Sequence, residues 1–240
     1  MLQKKPKLKA DSIYSEVEKK IGVIFKDKKL LENAFIHKSY INEHRNEGIE
    51  SNERLEFLGD AVLELVATKR LFAKYPNQQE GKMTSYRSAL VKGKQLAVVS
   101  RELDLGKYLN LSNGEEKSLG REKGYILANT LEALIGAIYI SNGYIQAEKF
   151  IEKFILTALD EIVEKGLYID SKSQFQEACQ DKGGITPHYE VLEESGPDHE
   201  KNFVVGAYID KLMIAKGEGK SKQKAEQSAA ENALIAKGWL

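Results

Sequence analysis

The 240 residues predict an all-α domain followed by a small α+β domain with the element order α-β-β-β-α, and three observations carry that expectation. Apolar residues recur every three and four positions from residue 12 to about 164, interrupted only by short Gly, Asn or Pro breaks, which is the pattern of amphipathic helices. Past Lys165-Gly166 the period changes, and three short segments rich in Val, Tyr, Ile and Phe are separated by turn residues such as Ser195-Gly196-Pro197-Asp198. The length and a composition of 42% apolar and 30% charged residues suit two modest domains with their own cores, and exclude a disordered chain or a stapled miniprotein.

The first domain spans 10–160. A helix over 52–75 opens with Asn52 as its N-cap and stops before Pro76, and another over 125–142 ends at Asn142-Gly143. Amphipathic helices are expected over 85–103 and 146–163. Residues 161–169, around Lys165-Gly166, read as a linker. The second domain, 170–240, starts with a short helix over 171–180, continues through extended segments at 188–193, 202–210 and 211–216, and closes with a helix from near Lys220 to about Ala236. This order packs two helices on one face of an antiparallel sheet, with Ala225, Ala229, Ala230 and Ala233 letting the last helix approach closely.

Thirty-six Lys plus Arg balance 36 Asp plus Glu, so net charge does not decide for or against a polyanionic partner, and any such site must be local. The single cysteine, Cys179, excludes an intramolecular disulfide and a cysteine-rich zinc site and points to a reducing, cytoplasmic setting. The opening MLQKKPKLKADS has lysines but no apolar run behind them, so neither a signal peptide nor a membrane anchor is expected. Lys4, Lys5, Lys7 and Lys9 read as a solvated terminus without a role.

Chemistry concentrates on two helices. Glu53, Glu56 and Asp60 fall at i, i+3 and i+7 on one helical face that continues with Leu63, Ala67 and Leu71. Acids on adjacent turns repel, and a buried unpaired carboxylate costs on the order of a few kcal/mol, so a row of acids leading into an apolar stripe is unfavourable unless a cation relieves it. In the second helix, apolar nearly all round, Asn129 and Glu132 share a side with Ile135, Gly136 and Tyr139. If the helices cross there, Glu56, Asp60, Asn129 and Glu132 would present three carboxylates and an amide oxygen, a hard donor set suited to Mg²⁺ or Mn²⁺. Spacing alone also allows an ordinary solvated or ion-paired face, with Arg54 and Lys69 close by in sequence.

The segment NERLEFLGDAVL (52–63) closely resembles the signature of the ribonuclease III family. LLENAFIHKSY (30–40), EGKMTSYRSALV (80–91) and ILANTLEALIGAIYI (126–140) look like its other blocks. DSKSQFQEACQ, TPHYEV, GPDHEKNFVV and GEGKSKQKAEQSAAENAL resemble a double-stranded-RNA-binding domain in the expected order. The resemblance covers nearly the whole chain. It implies a homodimeric endoribonuclease that cleaves both strands of double-stranded RNA in rRNA and mRNA processing, leaving 5′-phosphates and short 3′ overhangs, with Mg²⁺ (or Mn²⁺) and no small-molecule cofactor. On matching positions it makes Glu56, Asp60 and Glu132 metal-binding carboxylates, with Asp60 and Glu132 central to catalysis. Asn129 stands where the family usually has Asp. Glu53 and Glu80 match acidic positions at the dimer cleft.

Residues 168–240 hold nine lysines and no arginine against twelve acids, so RNA binding there depends on placement. The resemblance puts Lys220, Lys222 and Lys224 on phosphates, and Ser173, Gln176 and Glu177 of the first helix and Pro197, Asp198 and His199 of the loop in successive minor grooves, where 2′-hydroxyls distinguish RNA from DNA. His37 reads as a structural histidine. A non-cleaving RNA-binding or ribosome-associated protein on the same fold, motivated by Asn129, is the alternative. A helical phosphohydrolase for small molecules is a third reading, disfavoured by the second domain.

Overall fold

A computed structural model describes residues 10–45, 48–197 and 201–239, so Lys4, Lys5, Lys7, Lys9, Asp198 and His199 lie outside the described residues. The chain divides between Tyr168 and Ile169 into two compact units. The first is built from α1 (Ala10–Ile21), α2 (Lys28–Ala34), α3 (Lys38–Glu43), α4 (Glu53–Lys74), α5 (Glu80–Val91), α6 (Gly93–Glu102), α7 (Asn113–Lys117), α8 (Gly124–Asn142), α9 (Tyr144–Phe154) and α10 (Leu159–Glu164), with short 3₁₀ turns between some of them.

Helix α8 is the axis of this unit. Eleven of its nineteen residues are buried, because its sequence is apolar on every side and α2, α4, α6 and α9 surround it. It is long and apolar enough to cross a membrane by length and composition, but most of it is buried inside the fold, as expected of a core helix. Its two buried hydroxyl contacts are satisfied: Thr130 Oγ1 donates to the Ile126 carbonyl at 2.7 Å, and Ser100 Oγ of α6 donates to the Leu127 carbonyl at 2.6 Å. Gly143, at φ 87°, ends the helix where an L side chain would be strained.

The α4/α8 crossing is set by two glycines. A Cβ on Gly59 would lie 1.7 Å from the Glu132 carbonyl oxygen, and one on Gly136 would lie 2.2 Å from the Leu55 carbonyl oxygen. The backbones therefore touch, and each helix brings the other's polar stripe close to its own. Around the crossing, Leu63, Val66, Leu71, Leu131, Leu134 and Ile138 form a dry core with Leu31, Phe35 and Phe150.

Three local expectations need correction. Asn52 precedes α4 but its side chain makes no cap; it is buried, and Nδ2 donates to the Ala34 carbonyl at 3.1 Å, tying the start of α4 to the end of α2. The stretch 85–103 is two helices, because Lys92 adopts an extended conformation (φ −62°, ψ 144°) that redirects α6 so that Leu96, Ala97, Val99 and Ser100 are buried. The stretch 146–163 is also interrupted: a 3₁₀ turn at Leu156–Ala158 tightens the chain and keeps Ile155, Leu156 and Leu159 buried together. The first unit continues through 161–168, with Ile162 buried and the Tyr168 ring edge-on to Tyr86 at 4.5 Å.

The second unit comprises α11 (Ser171–Gly183), β1 (His188–Ser195), β2 (Asn202–Ile209), β3 (Leu212–Gly219) and α12 (Lys222–Lys237), with antiparallel strands in the order β1-β2-β3. Phe203, Val205 and Ala207 alternate inward against Phe175, Cys179 and the fully buried Ala225, Ala229, Ala230 and Ala233. β3 runs on to Gly219, and the closing helix starts at Lys222, two residues after Lys220, as expected. Gly217 and Gly219 keep that last stretch of strand against α12: a Cβ on Gly217 would fall 2.0 Å from the Ala229 nitrogen.

Gly59→Ala tests the crossing. Helix propensity alone favours alanine by about 1 kcal/mol, yet the clash with the Glu132 backbone should make the variant less stable by on the order of 1–3 kcal/mol in urea denaturation. Gly81→Ala, where a Cβ meets nothing within 4 Å, is the control and should hold or gain stability. A Gly59→Ala protein as stable as wild type would contradict the close crossing.

Candidate functional site

The polar stripes of α4 and α8 converge beside the glycine crossing. The Asn129 amide faces the Glu56 carboxylate across the two helices and favours its charged form. Glu132 is half-buried, and its carboxyl is pushed up to about 7, first by lost hydration and then by the negative charges of Asp60 and Glu56. Burial also raises Glu56; the Asn129 amide and the Lys38 charge oppose that rise, and the charges of Glu53 and Asp60 add to it. The electrostatic coupling makes Glu56, Asp60 and Glu132 one negatively charged cluster, with Asp60 on the exposed side.

The cations nearest this cluster in sequence are engaged elsewhere. Arg54 pairs with Glu50 at 3.7 Å and Lys69 with Glu148 at 2.7 Å. Glu53 belongs partly to another set: Lys38 lies 3.3 Å from it and Ser51 Oγ donates to it at 3.0 Å. Glu80 starts α5, accepts from Thr84 Oγ1 at 2.9 Å, and lines a hollow with Thr68, Leu71 and Arg87. Thr68 is about 12 Å along α4 from Asp60 at 1.5 Å per residue, so Glu80 is set apart from the cluster within this chain. Among the described residues no three His, Cys, Asp or Glu side chains form a ready-made cation cage.

The donors nonetheless fit a hard divalent ion. They are all oxygens, and their mutual repulsion, visible in the raised Glu132 and Glu56, is what such an ion would relieve. His37 takes no part: its Nδ1 accepts the Ser39 N–H at 3.2 Å as the N-cap of α3, and burial pushes its pKa down. Gly59 and Gly136 escaped the sequence reading as site residues, although a glycine inside each of two apolar helices is a signal of close backbone approach.

In the second unit Ser173, Gln176 and Glu177 are exposed on one face of α11, opposite the buried Phe175 and Cys179. Lys220, Lys222 and Lys224 are all exposed where β3 passes into α12; Ser221 caps that helix by accepting from the Lys224 N–H at 3.3 Å, and the Lys222 ammonium sits 5.7 Å from the Phe203 ring centre. Pro197 is exposed just after β1.

An acid cluster on crossed helices, followed by an α-β-β-β-α unit with exposed lysines at its last helix, defines a helical nuclease joined to a double-stranded-RNA-binding module. Residues 27–159 match the family model described as Ribonuclease-III-like, and residues 171–236 match the double-stranded RNA binding motif. Ribonuclease 3 of Enterococcus faecalis is 41% identical over 227 residues, covering 93% of this chain and 97% of the relative. Ribonuclease 3 of Streptococcus gordonii is 44% identical over 218 residues, covering 90% and 92%. The nuclease domain of ribonuclease III from Campylobacter jejuni superimposes with a TM-score of 0.55 at 40% identity, covering 59% of this chain and 95% of that one. The chain belongs to the ribonuclease III family, and its activity is endonucleolytic cleavage of double-stranded RNA.

Glu132 gives this site a stability signature. Its carboxyl titrates near 7 in the fold against an ordinary 4.5, so the folded state holds an extra proton between those values. That contribution is fully present below pH 4.5 and is lost as pH rises through 7. In EDTA, Glu132→Gln should therefore become more stable relative to wild type between pH 4.5 and 8, by on the order of 1–2 kcal/mol after allowance for solvent screening. Urea denaturation of both proteins across that range checks the sign; a gap that is flat or runs the other way would contradict the burial of this carboxylate.

Proposed function

We propose that Glu56, Asp60, Asn129 and Glu132 hold Mg²⁺, with Mn²⁺ as a substitute, and that Asp60 and Glu132 are the catalytic carboxylates. The observation that carries this reading is the cluster itself: three coupled acids, one held near neutrality, whose neighbouring Arg54 and Lys69 pair with other groups. When bound, the ion supplies Lewis-acid polarisation of a phosphate oxygen and of a water. The chain does the rest. The Asn129 amide favours the charged form of Glu56, and Glu132, poorly hydrated, would give up its proton near neutral pH in order to hold the ion. The products are 5′-phosphates with short 3′ overhangs, and rRNA and mRNA precursors are the substrates. The lone, buried Cys179 suits the reducing cytoplasm.

The protein acts as a homodimer. In the nuclease domain from Campylobacter jejuni a structurally flexible region is involved in dimer formation. Here α4 exposes Phe57 (82%), Leu65 (57%) and Phe72 (74%) along one side, an apolar stripe suited to a second copy. Glu53 and Glu80 are the acidic groups of the resulting cleft. In the second unit, Lys220, Lys222 and Lys224 meet phosphates, while Ser173, Gln176, Glu177, Pro197, Asp198 and His199 meet minor-groove 2′-hydroxyls. Asn129 supplies a neutral oxygen in place of a carboxylate, which favours a second reading of a non-cleaving RNA-binding protein; the three remaining carboxylates weigh against it.

A metal titration on one long RNA duplex decides between these readings. Wild type should cleave, Glu132→Gln should retain duplex binding and lose nearly all cleavage, and Asn129→Asp should reach half-maximal cleavage at a lower Mg²⁺ concentration with the same products. Wild-type cleavage by Glu132→Gln would remove that residue from the site, and absence of cleavage by wild type in both Mg²⁺ and Mn²⁺ would install the second reading. Replacing Lys220, Lys222 and Lys224 by Ala should flatten the plot of log binding constant against log salt by up to about three contacts, each about 0.9 on the duplex-DNA scale. An unchanged slope would move the phosphate contacts elsewhere.

A further inference from the structure

We propose that Tyr125 is a substrate-binding residue whose hydroxyl donates a hydrogen bond to a backbone phosphate of the duplex beside the carboxylate cluster; the proposal rests on the reading of that cluster as the cleavage site. Tyr125, Asn129 and Glu132 stand at i, i+4 and i+7 of α8 and share a face, with Tyr125 one turn, about 6 Å, before Asn129. Helix α8 buries most of its length, yet Tyr125 is 57% exposed on the strip that leads to the cluster. A duplex strand that sets a phosphate at the carboxylates and follows α8 toward its first turn would pass along this strip.

The chemistry of the position favours a phosphate. The Tyr125 hydroxyl has no hydrogen-bond partner among the described residues, so its proton is available. The Lys123 ammonium is close enough to interact with it electrostatically. Lys123 itself is held by Glu115 and by Ser118 Oγ, the latter at 2.9 Å, and so leaves the phenol as the free donor of the pair. Tyrosine hydroxyls are among the side-chain donors that position nucleic-acid backbones without reading sequence. The ring's exposure also means that the fold does not depend on it.

Steady-state cleavage of one duplex RNA by full-length wild type, Tyr125→Phe and Tyr125→Ala tests the proposal. Both variants should raise KM by about 3- to 10-fold, the net worth of a typical hydrogen bond, with kcat within about twofold. A neutral donor releases no counterion, so the salt slope of KM should match wild type. Tyr125→Phe with a wild-type KM, a fall in kcat at unchanged KM, or a changed salt slope would each overturn it. Glu132→Gln, run alongside, separates the two readings: wild-type cleavage by that protein sinks the carboxylate assignment, whereas the KM of Tyr125→Phe decides the tyrosine.

Discussion

The contact on which the rest of the first unit depends is backbone against backbone at Gly59 and Gly136. Helices bearing ordinary side chains pack with axes 8–10 Å apart, about the width of two interleaved side-chain layers. Removing both Cβ atoms lets α4 and α8 touch through the Glu132 and Leu55 carbonyls, and that approach places acids from two helices in one electrostatic cluster. The apolar residues around the crossing hold it rigid, because any widening would open a void among Leu63, Leu131 and Leu134. Site geometry and core packing are thus one constraint.

The same crossing explains why the carboxylates are energetically uncomfortable. Glu132 lies on the flank of the most apolar helix of the chain, so it loses water, and Asp60 and Glu56 add like charge across the helix pair. Surface ion pairs elsewhere show that the chain has lysines and arginines available for pairing, yet Arg54 and Lys69 turn to Glu50 and Glu148. Lys38 acts on Glu56 only from beyond ion-pair distance while it pairs with Glu53, so the cluster is left short of positive charge and is prepared for a mobile cation. The Asn129 amide moderates the repulsion by favouring the charged form of Glu56, which an ionised carboxylate at that position would not do.

The second unit uses the same device for another end. Gly217 and Gly219 in β3 and the alanines of α12 bring helix and strand into backbone contact, fixing where α12 begins. Its start carries Lys222 and Lys224, with Lys220 just before it, so a segment with more acids than bases still offers a local basic ridge. Sequence-wide charge is silent on this, since electrostatic attraction to a polyanion falls off within about a Debye length and depends on which groups are nearby.

Much was legible in the amino-acid order itself. The change of apolar period near residue 165, the helical spacing of Glu53, Glu56 and Asp60, the pairing of Asn129 with Glu132 and the alanine stripe of the last helix are properties of local periodicity, and periodicity survives without a fold. Tertiary packing decided the rest. It split 85–103 and 146–163, because a change of direction that buries Leu96 or Leu159 outweighs continuous helix hydrogen bonding at one residue. It turned Asn52 from a cap into a strut to Ala34, set Glu80 apart from the other acids, and drew Lys69 across to Glu148 of α9. It also raised Glu132 toward neutrality, since hydration and the charges across a helix crossing depend on distances in space, which no spacing along one helix contains.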